Sequence, residues 1–217
     1  MAKQSRRAKS CKLKDVTPLQ HLQNADPILA AVIEKVGPLP TPCPIPEAHF
    51  SALCRIVVGQ QLSVAVARAI WNRVEAHFGE SFLPQAVLET SEEQLRKLGL
   101  SGAKTRTLGA LATHIEAGKL RIENLESLSD EEIAREIVAV KGLGPWSSDM
   151  FLMFHLCRED VLPVGDLGIR EAMKRLYNLE TRPLPPKMEE IAAPWRPYRS
   201  MASRYLWRAL DALQKTT

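Results

Sequence analysis

A chain of 217 residues, 45% of them hydrophobic, is long enough for one sizeable core or two small packed subdomains, and its make-up is that of an ordinary soluble globular protein. No apolar run reaches the roughly 18 residues of a membrane span and the first residues hold no apolar signal core, so neither a membrane anchor nor secretion is expected. The formal net charge of +4 comes from the first fourteen residues, where six lysines and arginines meet no acidic residue; the rest of the chain has 23 basic against 25 acidic residues, so net charge alone makes no case for a nucleic-acid partner.

Residues 1–17 read as a flexible basic tail, either a source of nonspecific DNA affinity or a solubilising segment. Cys11, Cys43, Cys54 and Cys157 are widely scattered. Their spacing fits neither a zinc site nor an iron–sulfur cluster, and reduced thiols inside a cell are the expectation.

Beyond the tail the apolar pattern is helical. Asp26-Pro27 opens a segment with Ile28, Leu29, Val32, Ile33 and Val36 on one side, and Gly37-Pro38 ends it. A connector with Pro38, Pro40, Pro42, Pro44 and Pro46 follows. Ala48 to Val58 reads as a buried helix, broken by Gly59-Gln60-Gln61-Leu62-Ser63, and Ser63 is placed to cap a helix running to Phe78. Capping boxes at Ser91–Gln94 and Ser129–Glu132 start two further helices, with another from Lys104 to Ala117 between them. Trp146–His155, Leu167–Tyr177 and Tyr198–Leu213 complete the series. No segment alternates as a strand with hairpin turn chemistry, so the expected fold is all-α, with nine or ten helices.

The chemistry concentrates near the end of the chain. In Val140-Lys141-Gly142-Leu143-Gly144-Pro145-Trp146 a helix ends, two glycines permit a tight turn, and a new helix begins. Such a turn can hold a DNA phosphate through backbone N–H groups of Gly142, Leu143, Gly144 and Ser147 and the positive helix end, or it can be a plain corner between helices. Its carbonyls (Val138, Val140, Leu143) could hold a monovalent cation. Twenty residues after Trp146 stands Asp166, within Leu162-Pro163-Val164-Gly165-Asp166-Leu167-Gly168. An aspartate there caps the following helix. A carboxylate there can also stabilise an oxocarbenium-like sugar and orient or deprotonate water.

Hairpin, Gly/Pro loop and aspartate together resemble the helix-hairpin-helix glycosylase superfamily. Members that also cleave the strand, such as endonuclease III and the 8-oxoguanine glycosylases, carry a lysine where this chain has Trp146. A Schiff base through that position is therefore excluded, and water is the expected nucleophile. The runs Gly144-Pro145-Trp146-Ser147, Trp195-Arg196-Pro197-Tyr198-Arg199-Ser200 and Tyr205-Leu206-Trp207, with Gly59 to Ser63, look like the alkylbase branch typified by 3-methyladenine DNA glycosylase II, from about Phe50 to Leu213. That resemblance implies two helical lobes with a cleft between them, the middle lobe at about 50–140 and the other built from 18–49 and 141–217, without the β-rich domain of longer relatives.

It also implies Asp166 as catalytic residue and Trp146, Trp207 and Tyr205 as walls of a pocket for an extruded base. Gln60, Gln61 and Leu62 would supply a wedge into the duplex, with Gln61 standing where a relative carries an apolar residue. Lys104 and Arg106 would lie near DNA, Arg196, Arg199 and Arg204 would reach phosphates or support Asp166, and Met150 would shape the pocket or fill core. The implied partner is duplex DNA with a flipped damaged base, bound by a monomer. The expected reaction removes alkylated purines such as 3-methyladenine with no required cofactor beyond a structural Na+ or K+ at the hairpin. The expected setting is a bacterial cytoplasm, or a nucleus in a eukaryote. A glycosylase for oxidised or mismatched bases and a non-catalytic DNA-binding module are the alternatives.

Overall fold

The computed structural model describes residues 16–40, 49–79 and 82–215. Most of the basic tail and the prolines at 42, 44 and 46 lie outside the described residues. Among those described, no strand occurs and no helix is long and apolar enough to cross a membrane. Twelve α-helices follow one another: α1 (Pro18–Ala25), α2 (Pro27–Val36), α3 (His49–Gly59), α4 (Val64–Phe78), α5 (Pro84–Glu89), α6 (Glu92–Lys97), α7 (Gly102–Glu116), α8 (Asp130–Val138), α9 (Pro145–Phe154), α10 (Leu167–Leu176), α11 (Pro185–Ala192) and α12 (Arg199–Lys215).

The capping chemistry holds where the sequence placed it. Ser63 Oγ accepts from Val66 N–H, and both capping boxes close, Ser91 with Gln94 and Ser129 with Glu132. Three helices exceed the nine that periodicity indicates: α1, α5 and α11. Each is short and has proline in its first turn. Proline there costs no hydrogen bond, since the N–H it lacks has no intrahelical partner.

Buried side chains form two clusters. One runs from Phe50 on α3 through Val57, Trp71, Leu108, Leu111, Ile133 and Ile137 to Met150, Phe151, Met153 and Val161. The other joins Leu22, Leu29 and Ile33 near the N-terminus to Ile169, Met173, Trp195, Leu206 and Leu210. The division falls after Val161, some twenty residues beyond the boundary near 140 read from the sequence. Leu143 and helix α9 pack against α3 and α8, so the hairpin belongs with the middle helices. Trp207 packs on both clusters, which sets it at their junction.

Buried polar groups lock each cluster. Asp26 caps α2 by accepting from Ile28 and Leu29 N–H, and also takes the Trp195 indole N–H at 2.9 Å and the Tyr177 hydroxyl at 2.5 Å. That contact pushes the Tyr177 phenol far up, with burial the larger cause. In the other cluster His49 Nδ1 lies 2.6 Å from His155 Nε2, tying the start of α3 to the end of α9. Burial, with His49 alongside, pushes His155 down to about 4, so that ring is neutral at physiological pH.

Candidate active site

Asp166 is the N-cap of α10, and its Oδ1 accepts from Ile169 N–H at 2.8 Å. Its backbone is set by the Pro163–Gly165 turn, which closes through Asp166 N–H to the Pro163 carbonyl. Two indoles converge on the same carboxyl group. Trp146, at the start of α9, donates from Nε1 to Oδ2 at 2.8 Å; Trp207, on α12, donates from Nε1 to Oδ1 at 2.9 Å. All three groups that reach Asp166 are donors, so both its oxygens act as acceptors. Asp166, Trp146 and Trp207 are each only half-buried, which leaves the cluster open to an incoming molecule.

Three residues that the sequence did not single out lie at or near this surface. Gly168 faces both partners: a Cβ there would lie 3.1 Å from Asp166 Oδ1 and 3.2 Å from Trp207 Cδ1. Phe154, at the end of α9 and 46% exposed, stacks on Trp207 with ring centroids 5.8 Å apart and planes inclined by 30°. Asp149, one turn along α9 from Trp146, carries a half-buried carboxyl group that burial, and secondarily the charge of Asp166, pushes up to about 7. Only spacing could have found the last two. Residues 146, 149, 150, 153 and 154 share one face of a helix, and Met150 and Met153, both buried, are its core side.

The hairpin adds backbone donors. Gly142 takes a positive φ of 97°, and Leu143 N–H closes the turn onto the Val140 carbonyl. No described group accepts the N–H of Gly142, Gly144 or Trp146. These are donors that a phosphate oxygen can use. Leu143 and Ser147 do not join them. Leu143 spends its N–H in the turn and buries its side chain. Ser147 is 2% exposed, and its N–H bonds the Gly144 carbonyl.

Gln60 is also turned inward. Its Nε2 donates to the Gly142 carbonyl and to Ser147 Oγ, both at 3.1 Å, and so ties the break between α3 and α4 to the hairpin. Lys104 fixes the other side of that break: its Nζ donates to the Val58 carbonyl at 2.7 Å, and burial lowers its pKa. The ammonium therefore satisfies the end of α3 rather than standing free for DNA. Gln61 (φ 55°) and Leu62 (38% exposed) project from the apex.

Tyr205 is not a pocket wall. It is 1% exposed, and its hydroxyl donates to the Gly37 carbonyl at 3.1 Å. Two residues along a helix differ by about 200° around its axis, so Tyr205 and Trp207 face opposite ways. The three arginines do not reach Asp166 either. Arg199 is held by Asp160 and Glu189, Arg196 bonds Asp160, and Arg204 donates to the Pro40 carbonyl.

A hairpin between two helices, followed by a helix-capping aspartate that receives two indole donors, is the constellation that the sequence resemblance implied. The chain belongs to the HhH-GPD superfamily of base excision DNA repair proteins, whose family model matches residues 54–197. Among its relatives, DNA-3-methyladenine glycosylase 1 of Schizosaccharomyces pombe is 34% identical, over 73% of this chain and 71% of that protein. The Bacillus subtilis protein YfjP is 29% identical over 79% of this chain, which spans 62% of the length of YfjP. The structure of the S. pombe 3-methyladenine DNA glycosylase Mag1 in complex with abasic DNA superimposes with a TM-score of 0.81 at 29% identity, over 88% of this chain and 95% of that one.

Proposed function

We propose that this chain is a monofunctional DNA glycosylase that removes alkylated purines from duplex DNA by hydrolysis and leaves an abasic site. The observation that carries this reading is the pair of indole N–H groups on one half-buried carboxyl group, 2.8 and 2.9 Å from its oxygens. Alkylation at a ring nitrogen makes a purine cationic and a ready leaving group. Indole faces attract such a cation and stack an extruded base without one fixed hydrogen-bond pattern. The stacked Trp207–Phe154 pair extends that surface. As the bond from sugar to base breaks, positive charge grows on the sugar, and the Asp166 carboxylate offsets it while orienting water for attack. Trp146 has no amine, so water attacks and no covalent enzyme–DNA adduct forms at that position.

The free N–H groups of Gly142, Gly144 and Trp146 would receive a backbone phosphate, with Gln61 and Leu62 facing the gap left by the flipped base. The Val138, Val140 and Leu143 carbonyls are neutral oxygen donors, which suits Na+ or K+. Such an ion would add positive charge beside the phosphate.

Incubation with methylated duplex DNA should release free 3-methyladenine or 7-methylguanine, and borohydride should trap no protein–DNA adduct. A trapped adduct would contradict the monofunctional reading, and no released base would contradict the glycosylase reading.

Gly168 gives a second test. Gly168→Ala places a methyl group against both Asp166 and Trp207 and should slow base release about tenfold, since small displacements of catalytic groups are costly. The melting temperature should change little, because the preference for alanine over glycine in a helix offsets the cost of displacing the two neighbours. An unchanged rate would mean that Trp207 need not contact Asp166.

A further inference from the structure

We propose that Arg199 and Ser200 are positioning residues: from the first turn of α12 they grip residues 158–161 and so hold Asp166 where Trp207 can bond it. Their effect on catalysis rests on the glycosylase reading above. Their effect on the contact between Asp166 and Trp207 does not.

Asp166 closes the connector between α9 and α10. Four consecutive residues of that connector bond to α12. The Ser200 hydroxyl donates to the Arg158 carbonyl at 2.6 Å and accepts from Val161 N–H at 3.0 Å. Ser200 N–H donates to the Glu159 carbonyl at 2.9 Å. Arg199 spreads its guanidinium over Asp160: Nε donates to Oδ1 at 2.6 Å, and Nη2 donates to the carbonyl oxygen at 2.8 Å and to Oδ2 at 3.2 Å. Its Nη1 donates to Glu189 Oε2, on α11, at 2.9 Å. Arg199 is 8% and Ser200 6% exposed, so neither is offered to DNA. A rigid guanidinium fork engaged on three sides fixes orientation as well as charge.

The same helix holds the far end of the connector. Trp207 comes seven residues after Ser200, about 11 Å further along α12, and donates to Asp166 Oδ1 at 2.9 Å. The five steps from Val161 to Asp166 could reach about 17 Å if fully extended. Two tight turns take up the slack, Val164 N–H to the Leu162 carbonyl and Asp166 N–H to the Pro163 carbonyl. One helix therefore sets both ends of the segment that presents the carboxylate. Freeing the first end lets Asp166 drift from Trp207, and an offset of about 1 Å can cost about 10²-fold in rate. Trp146 and the cap on α10 still hold Asp166, so the loss is partial.

Two variants test this. Ser200→Ala removes the hydroxyl that bridges Arg158 and Val161, and Arg199→Lys keeps the charge but loses the fork. Either suffices if the other does not fold. Single-turnover release of 7-methylguanine should fall about tenfold in each, while Kd for an abasic duplex stays within about twofold, because the hairpin is untouched. An NMR spectrum of the indole N–H groups reads the contact itself. The Trp207 signal should lose the downfield shift of a carboxylate-bonded N–H in both variants, while that of Trp195, bonded to Asp26, stays in place. A Trp207 signal that stays put, an unchanged rate, or an equal fall in rate and affinity overturns the proposal. So does movement of the Trp195 signal together with that of Trp207, the mark of a general loosening. If wild type releases no base, the glycosylase reading falls, and the Trp207 signal alone then decides whether the clamp sets the contact.

Discussion

Asp166→Asn should lower the release of 7-methylguanine by about 10³-fold, the loss expected when a charge-stabilising and water-activating group is removed. The substitution is close to isosteric, so its structural cost is modest. The asparagine carbonyl oxygen can still accept from Ile169 N–H and from one indole. Its NH2 group then faces the other indole N–H, leaving two donors opposed and one indole unpaired. The expected stability loss is about 1 to 2 kcal/mol, small enough to keep the protein folded at room temperature. Single-turnover kinetics with enzyme in excess will separate the two effects, because they read the chemical step on folded protein. A variant retaining more than about a tenth of the wild-type rate would remove Asp166 from the chemistry.

A comparison within the molecule shows why indole contacts alone are insufficient. Asp26 is also a helix N-cap, and it also receives an indole N–H, from Trp195. Yet Asp26 is 6% exposed and Trp195 is fully buried. A fourth donor, the Tyr177 hydroxyl, completes its shell, so no reactant can reach it. Asp166 has the same local chemistry at the junction of two clusters, where its tryptophans stay half-exposed. Accessibility, rather than hydrogen bonding, distinguishes the reactive aspartate from the structural one.

That contrast also marks how far sequence reading carries. Caps and stops are local, and Ser63, Ser91, Ser129 and Asp166 sit at helix starts as their side chains dictate. The convergence of Trp146 and Trp207 on Asp166 came from motif order, because no local rule joins residues 41 positions apart. What could not be read is side-chain direction. Tyr205 and Trp207 are two residues apart, yet one fills the core and the other reaches the site. Gln60 and Lys104 look like surface polar groups, yet each is spent on a backbone carbonyl. The lobe boundary moved for a related reason: the apolar face of α9 is legible, but nothing in its pattern says which core it fills.

Gly142→Ala should be the most damaging substitution at the hairpin. The residue's φ of 97° is one that L side chains rarely adopt, and a Cβ would lie 2.0 Å from Thr107 Oγ1 and 2.8 Å from its Cγ2. Thr107 cannot swing aside cheaply, since it is buried on α7 and its hydroxyl is bonded to the Ala103 carbonyl. Backbone strain and overpacking together should cost about 3 kcal/mol, which lowers the melting temperature by roughly 10 °C for a chain of this size. Retreat of the hairpin would also pull the Gly142 carbonyl from Gln60 and shift the free N–H groups offered to a phosphate, so affinity for an abasic duplex should fall with stability. Thr107→Ala supplies the control. It removes Oγ1 and Cγ2 but leaves a Cβ that would still lie 2.9 Å away, and it does nothing for φ. The double variant should therefore recover only part of the loss, about 1 to 2 kcal/mol relative to the sum of the single variants. Strict additivity would mean that the hairpin does not press on α7, and that the glycine is required by backbone conformation alone.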